Sequence, residues 1–201
     1  MIGIIDYGAG NLKSVKNALD FLGAKSKIIS TPKEVESVEG IILPGVGSFG
    51  FIMENLRSKG LDLAIVGAIS KGKPYFGICL GLQILFEKSE ESAGVKGLGV
   101  FKGEVVKFTK GKVPQVGWNE VNPVQKGLLD NGFAYFVNSY YVVPKKEEII
   151  LGRTDNYVNF TSAVEKDNVF AVQFHPEKSG EYGLDILRRW VDVVEKNNSL
   201  S

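Results

Sequence analysis

The sequence has one cysteine and one histidine in 201 residues. A lone cysteine cannot close an internal disulfide. One cysteine with one histidine cannot supply the four ligands of structural zinc. Cys79 is therefore either a small buried side chain or a reactive thiolate. Charge of one sign is also missing: Lys+Arg 24 against Asp+Glu 23 leaves a net +1. There is no basic surplus to neutralise phosphates or to hold an anionic bilayer, so nucleic acid and membrane are not expected partners. Long apolar runs are absent, none approaching the roughly 18 residues of a membrane span. Met1-Ile2-Gly3-Ile4-Ile5-Asp6 lacks the basic flank and apolar stretch of a secretory signal. A cytoplasmic protein is expected. No repeat, low-complexity tract or linker divides the chain, so residues 1–201 read as one domain, with Asn197 to Ser201 as a frayed tail.

What is present alternates. Met1 to Ile5 is an apolar, β-branched run, followed by the turn-forming Asp6-Tyr7-Gly8-Ala9-Gly10-Asn11. Leu12, Val15, Ala18, Leu19 and Leu22 then recur at helical spacing and stop at Gly23. Strands follow at Lys27-Ile28-Ile29, Gly40-Ile41-Ile42-Leu43 and Pro74-Tyr75-Phe76-Gly77-Ile78, with helix from Phe49 to Ser70, broken near Gly60, and from Leu80 to Lys88. Strand–helix alternation predicts an α/β domain with a parallel sheet covered on both faces. Beyond Ser92 the pattern turns β-rich, over Gly99 to Thr109, Tyr135 to Val143, Ile149 to Arg153, Val158 to Val164 and Val169 to Phe174. A closing helix from Tyr182 to Glu195 carries Leu184, Leu187, Trp190, Val191 and Val194 inward.

Gly45-Val46-Gly47-Ser48-Phe49-Gly50 matches the dinucleotide fingerprint G-x-G-x-x-G. Ribose recognition also needs an acidic residue at the tip of the next strand, and that strand ends Gly77-Ile78-Cys79. The loop at Gly8 and Gly10 fails likewise, its next strand ending Ile28-Ile29-Ser30. No nucleotide cofactor is expected, and no metal.

Gly77-Ile78-Cys79-Leu80-Gly81 puts cysteine at the centre of a nucleophile elbow, between a buried strand and a helix whose N-terminus favours thiolate. A thiolate nucleophile needs a proton carrier, and His175 is the sole histidine. It follows the strand Val169 to Phe174. Glu177 stands two residues on, with Pro176 restricting the backbone between. In an extended segment these two side chains start from the same side, so Glu177 can hold one imidazole nitrogen and leave the other for sulfur. Three chemically capable residues thus sit just past sheet strands, where α/β folds place their sites.

These residues resemble the class I, triad-type glutamine amidotransferases, whose fold is a central mixed, mostly parallel sheet flanked by helices, flavodoxin-like in layout. The likeness spans the sequence and is most specific to the family of glutaminase subunits serving imidazole glycerol phosphate synthase. It is carried by Asp6-Tyr7-Gly8-Ala9-Gly10-Asn11-Leu12, Leu43-Pro44-Gly45-Val46-Gly47, Gly77-Ile78-Cys79-Leu80-Gly81-Leu82-Gln83 and Gly94-Val95-Lys96-Gly97-Leu98-Gly99. Val116-Gly117-Trp118-Asn119, Asn138-Ser139-Tyr140-Tyr141 and Gln173-Phe174-His175-Pro176-Glu177-Lys178-Ser179-Gly180 complete it.

The resemblance implies hydrolysis of glutamine by Cys79, His175 and Glu177, and a (β/α)8-barrel cyclase partner that consumes the ammonia in histidine biosynthesis. It implies an oxyanion hole from the N–H of Leu80 and one N–H of Gly45-Val46-Gly47, whose glycines let a peptide plane rotate. It implies glutamine binding by Gln83, Glu91, Asn138, Ser139 and Tyr140, and places Asn11, Trp118 and Lys178 near the partner. Two positions depart from the commonest pattern: Gln115 and Asn138 each stand where relatives often have histidine. The triad alone also fits a glutaminase of a different synthase. A deglycase-like hydrolase or redox sensor shares the elbow but is disfavoured by His175-Pro176-Glu177.

Overall fold

The computed structural model describes residues 1–9 and 11–199; Gly10, expected to ease the first turn, and the tail residues Leu200 and Ser201 lie outside them. In chain order the strands are β1 (Ile2–Ile5), β2 (Ser26–Ile29), β3 (Gly40–Gly45), β4 (Tyr75–Cys79), β5 (Lys88–Ser89) and β6 (Gly103–Lys107). There follow β7 (Gln115–Pro123), β8 (Gly132–Asn138), β9 (Tyr140–Pro144), β10 (Ile150–Asn156), β11 (Val158–Lys166) and β12 (Val169–Val172). The helices are α1 (Leu12–Phe21), α2 (Pro32–Ser37), α3 (Phe49–Ser58), α4 (Leu61–Ser70), α5 (Leu80–Gln83) and α6 (Gly180–Ser199).

The main sheet runs β2-β1-β3-β4-β12-β11-β10-β7-β8. From β2 to β12 the strands are parallel, and from β12 onward each neighbour is antiparallel, giving the expected mixed sheet. β5, β6 and β9 branch from it, β9 joining β11 at Val142 opposite Thr161. Both faces of the parallel part are covered, which explains its near-continuous apolar runs. Ile5, Ile41 and Leu43 pack on one face with Ile52, Leu56 and Ile65 of α3 and α4. Ile4, Ile42 and Ile78 pack on the other with Leu19 of α1 and Leu187 and Trp190 of α6.

One helix is much shorter than its sequence suggests. Leu80 to Lys88 reads as continuous helix, yet α5 is a single turn. The carbonyls of Ile84, Leu85 and Glu87 accept instead from Leu98, Phe101 and Gly97, so the later segment takes the acceptors that helix extension needs. Gly97 permits this approach, since a Cβ there would lie 2.0 Å from the Phe86 oxygen. At the other end α6 continues through Asn197 to Ser199, where a frayed tail is expected.

The parallel register sets the site. Gly45 lies opposite Cys79, and Val172 opposite Ile78, so β3, β4 and β12 all deliver their C-terminal ends to one edge.

Candidate active site

Cys79, the last residue of β4, adopts φ 56° and ψ −107°. A side chain at positive φ is strained and persists only where its surroundings hold it. The neighbouring glycines do the holding through close approach. A Cβ on Gly77 would fall 2.4 Å from the Gly81 oxygen, one on Gly81 would fall 2.0 Å from the Leu43 oxygen, and one on Gly45 would meet Leu80 Cβ at 2.3 Å. Beneath them the buried Tyr75 hydroxyl donates to the Gly81 carbonyl at 2.8 Å. Because α5 is one turn, the helix dipole expected behind the sulfur shrinks to its first few N–H groups. Side chains must supply most of the electrostatics.

His175 is buried, and its backbone N–H donates to the Tyr135 carbonyl at 2.9 Å. The residues after it form a 3-10 turn, Pro176–Lys178, rather than the extended segment expected, closed by Lys178 N–H to the His175 carbonyl at 3.0 Å. Ser179 Oγ donates to that carbonyl too, at 2.7 Å. The turn still delivers the carboxylate: Glu177 Oε1 sits 2.9 Å from His175 Nδ1, its side chain 1% exposed. His175 and Cys79 line the same cavity, close enough for the sulfur to act on the imidazole. Burial pulls the imidazole pKa down, but the bonds to Cys79 and Glu177 outweigh it and push it up to about 10.

Three side-chain amides gather at the site, Gln83 and Asn138 in the cavity with Cys79 and Gln173 against the sulfur. Gln83 Nε2 donates to the Tyr140 carbonyl at 3.2 Å and to Gln173 Oε1 at 3.0 Å. Asn138 Nδ2 donates to the same Tyr140 carbonyl at 3.0 Å. Gln83 Oε1 and Asn138 Oδ1 are left buried without partners, two acceptors waiting for a donor. Asn138 thus fills its unusual position as an amide facing Tyr140. Gln115, the other departure, is buried and accepts from Asn156.

The Gly45-Val46-Gly47 loop borders the sulfur, but Val46 is occupied. Its N–H donates to the Tyr7 hydroxyl at 2.9 Å, and that hydroxyl donates back to the Val46 carbonyl at 3.1 Å. Gly47, at φ 93°, carries the loop's left-handed residue. Glu91 Oε2 accepts from Phe49 N–H at 2.6 Å at the start of α3, so one oxygen of this expected glutamine ligand holds the loop.

A cavity of about 280 Å³ collects Cys79, Leu80, His175, Gly45, Val46, Gly47, Gln83, Glu91, Asn138, Ser139, Tyr140 and Lys178. Glu177 stands behind His175, outside the lining. Asn11 lies at the start of α1, where its Oδ1 accepts from Ser14. Trp118 is exposed on β7 and packs edge-on to Tyr135. Sequence reasoning overlooked Gln173, Tyr7 and Val137. Gln173 carried a signal, being polar and two residues before His175 just past the end of β12; the other two depend on contacts between distant elements. Among the described residues, no group of three or more His, Cys, Asp or Glu stands together as a metal site.

The glutamine amidotransferase class-I family model matches residues 3–193. The chain belongs to that family. It is 47% identical over 199 residues to the imidazole glycerol phosphate synthase subunit HisH of Methanothermobacter thermautotrophicus, covering 96% of this chain and 99% of that one. It is 50% identical over 200 residues to the HisH of Thermococcus kodakarensis, covering 94% and 98%. Likeness of this extent sets the amidotransferase within the HisH branch. A crystal structure of a glutamine amidotransferase superposes with a TM-score of 0.80 at 20% identity over 96% of this amidotransferase, in agreement with its fold.

Proposed function

We propose that the chain is a glutaminase subunit that converts glutamine to glutamate and ammonia through a glutamyl thioester on Cys79. The carrying observation is the left-handed Cys79 sharing one cavity with a buried His175 whose Nδ1 is held by Glu177. With its pKa raised, His175 enters the cycle as imidazolium beside the Cys79 sulfur. The thiolate attacks the side-chain amide carbon. His175 gives its proton to the departing ammonia, then takes one from the water that hydrolyses the thioester. Glu177 keeps the imidazole turned towards sulfur. Leu80 N–H, first in its helix and so without an intrahelical acceptor, is one oxyanion donor. Val46 N–H becomes the second only after leaving Tyr7, so the loop needs a rotation before full activity. The unpartnered oxygens of Gln83 and Asn138 suit the donors of glutamine.

Released ammonia is protonated and inert in neutral water, so a protected receiver makes chemical sense. The HisH relatives are named as subunits of imidazole glycerol phosphate synthase. On that basis the receiver is a (β/α)8-barrel cyclase making imidazole glycerol phosphate and aminoimidazole carboxamide ribonucleotide in the cytoplasm. Val116 and Val137, and Trp118 and Tyr135, lie opposite one another on β7 and β8. Val116, Trp118 and Val137 are exposed there, and Val137 also lines the cavity, which suits a partner closing over the site.

The test is glutamate formation by the chain alone, and with a barrel cyclase and its nucleotide ligand. Activity should rise with the liganded cyclase, and Cys79→Ser should abolish it. Folded chain that binds the cyclase yet yields no glutamate would refute the reading.

A further inference from the structure

The sulfur of Cys79 has a second side-chain donor, and its direction is fixed by groups well away from it. The Tyr140 carbonyl oxygen can only accept, so Gln83 must turn its NH2 group towards it. That same NH2 group reaches Gln173, which must therefore present its oxygen. The one group Gln173 has left is its own NH2, and this lies 3.5 Å from Cys79 Sγ. The chain of donors and acceptors admits no flipped alternative without setting two NH2 groups, or two oxygens, against each other. Gln173 is fully buried, so water does not compete for the bond.

The sulfur needs such a donor. A backbone acceptor, the Val137 carbonyl, stands 4.0 Å from it, which suits a thiol and opposes an anion. The helix behind it is a single turn. His175 holds a proton at both moments when the sulfur is an anion, but it must give that proton to ammonia and recover it from water, so its bond to sulfur is shared with the chemistry. An amide does not titrate.

We propose that Gln173 is a catalytic hydrogen-bond donor to the Cys79 sulfur, stabilising the anion before attack and again when the thioester C–S bond breaks. The inference rests on Cys79 as the nucleophile and adds a residue to that chemistry. It also gives Gln83 a double part: its carboxamide lines the substrate cavity while its NH2 group aims Gln173. Glutamine contacting Gln83 would then bear directly on the group that steadies the sulfur.

The test is the pH dependence of Cys79 alkylation by iodoacetamide, which needs neither glutamine nor partner. In Gln173→Met, similar in size but without the donor, the midpoint should rise by about one pH unit, roughly a tenfold loss of thiolate at a fixed pH below both midpoints. A Gln173 that merely fills space would lower the unfolding midpoint and leave the alkylation midpoint unmoved, and that result overturns the proposal. If the variant does not fold, the assigned side-chain amide resonance of Gln173 in the unaltered chain decides. It should shift with the alkylation midpoint, and a flat resonance refutes the bond. A shifted midpoint in a chain without glutaminase activity would sink the functional reading and leave this hydrogen bond standing.

Discussion

His175 is the only imidazole in the chain, so its ring protons give an uncluttered NMR signal. Its titration midpoint should lie well above the ordinary value of about 6.5, and fall in Cys79→Ser, which removes one of the two groups holding the proton. A stability consequence follows. A folded-state pKa raised above the unfolded one contributes stability that is complete below about pH 6.5 and is lost as pH climbs towards about 10. Relative to His175→Gln, the unaltered chain should lose unfolding free energy between neutral and alkaline pH; urea titrations across that window check it. At this scale the grouping of Cys79, His175 and Glu177 was legible because a lone cysteine and a lone histidine beside strand ends leave few assignments open. Gln173 and Tyr7 were not, because their roles depend on which atoms of other elements face them.

Among the elements, glycine spacing carries much of the elbow. Gly81→Ala would push a methyl group to 2.0 Å from the Leu43 oxygen, a backbone atom that cannot swing away. It should cost about 3 kcal/mol or more, read as a lower urea midpoint. Gly67, inside α4, has nothing within 4 Å of a built Cβ and no positive φ. Gly67→Ala should therefore stabilise by about 0.5–1 kcal/mol through helix propensity. The elbow's strand–turn–helix order was readable in sequence, whereas the length of α5 was not. Residues Ile84, Leu85 and Phe86 keep an apolar, helix-compatible pattern while their neighbourhood is decided by pairing with residues 97–101. The strand β7 was missed for a related reason: it sends Val116 and Trp118 outward, so its apolar side does not point to a core. The helix α2 was readable in hindsight, since Thr31 and Glu34 form a capping box with Pro32 at the first position.

At the scale of the molecule, the sheet changes from parallel to antiparallel beside β12, and the site lies near that change. The parallel part brings Gly45, Cys79 and His175 to one edge; the antiparallel part adds β8 with Val137 and Asn138, and exposes the β7–β8 face. That face should carry partner binding. Trp118→Ala is expected to weaken capture of the barrel cyclase by roughly 30-fold or more, as for a central aromatic anchor, with the melting temperature of the isolated chain little changed. Titration calorimetry separates the two effects. The mixed sheet and its flanking helices followed from alternating strand and helix patterns, but which strands border one another at the change of direction did not, because β12 takes β4 as its parallel neighbour, Val169 opposite Tyr75, from a distant part of the chain.

The lone thiol has one more consequence, for the protein's life under oxidants. A sulfenic acid formed at Cys79 finds no second cysteine in this chain with which to condense. No internal disulfide can shelter it from further oxidation to the irreversible sulfinic state. Rescue has to come from a thiol on another molecule that reaches the cavity, so how long the enzyme stays active under oxidative stress is set by its surroundings.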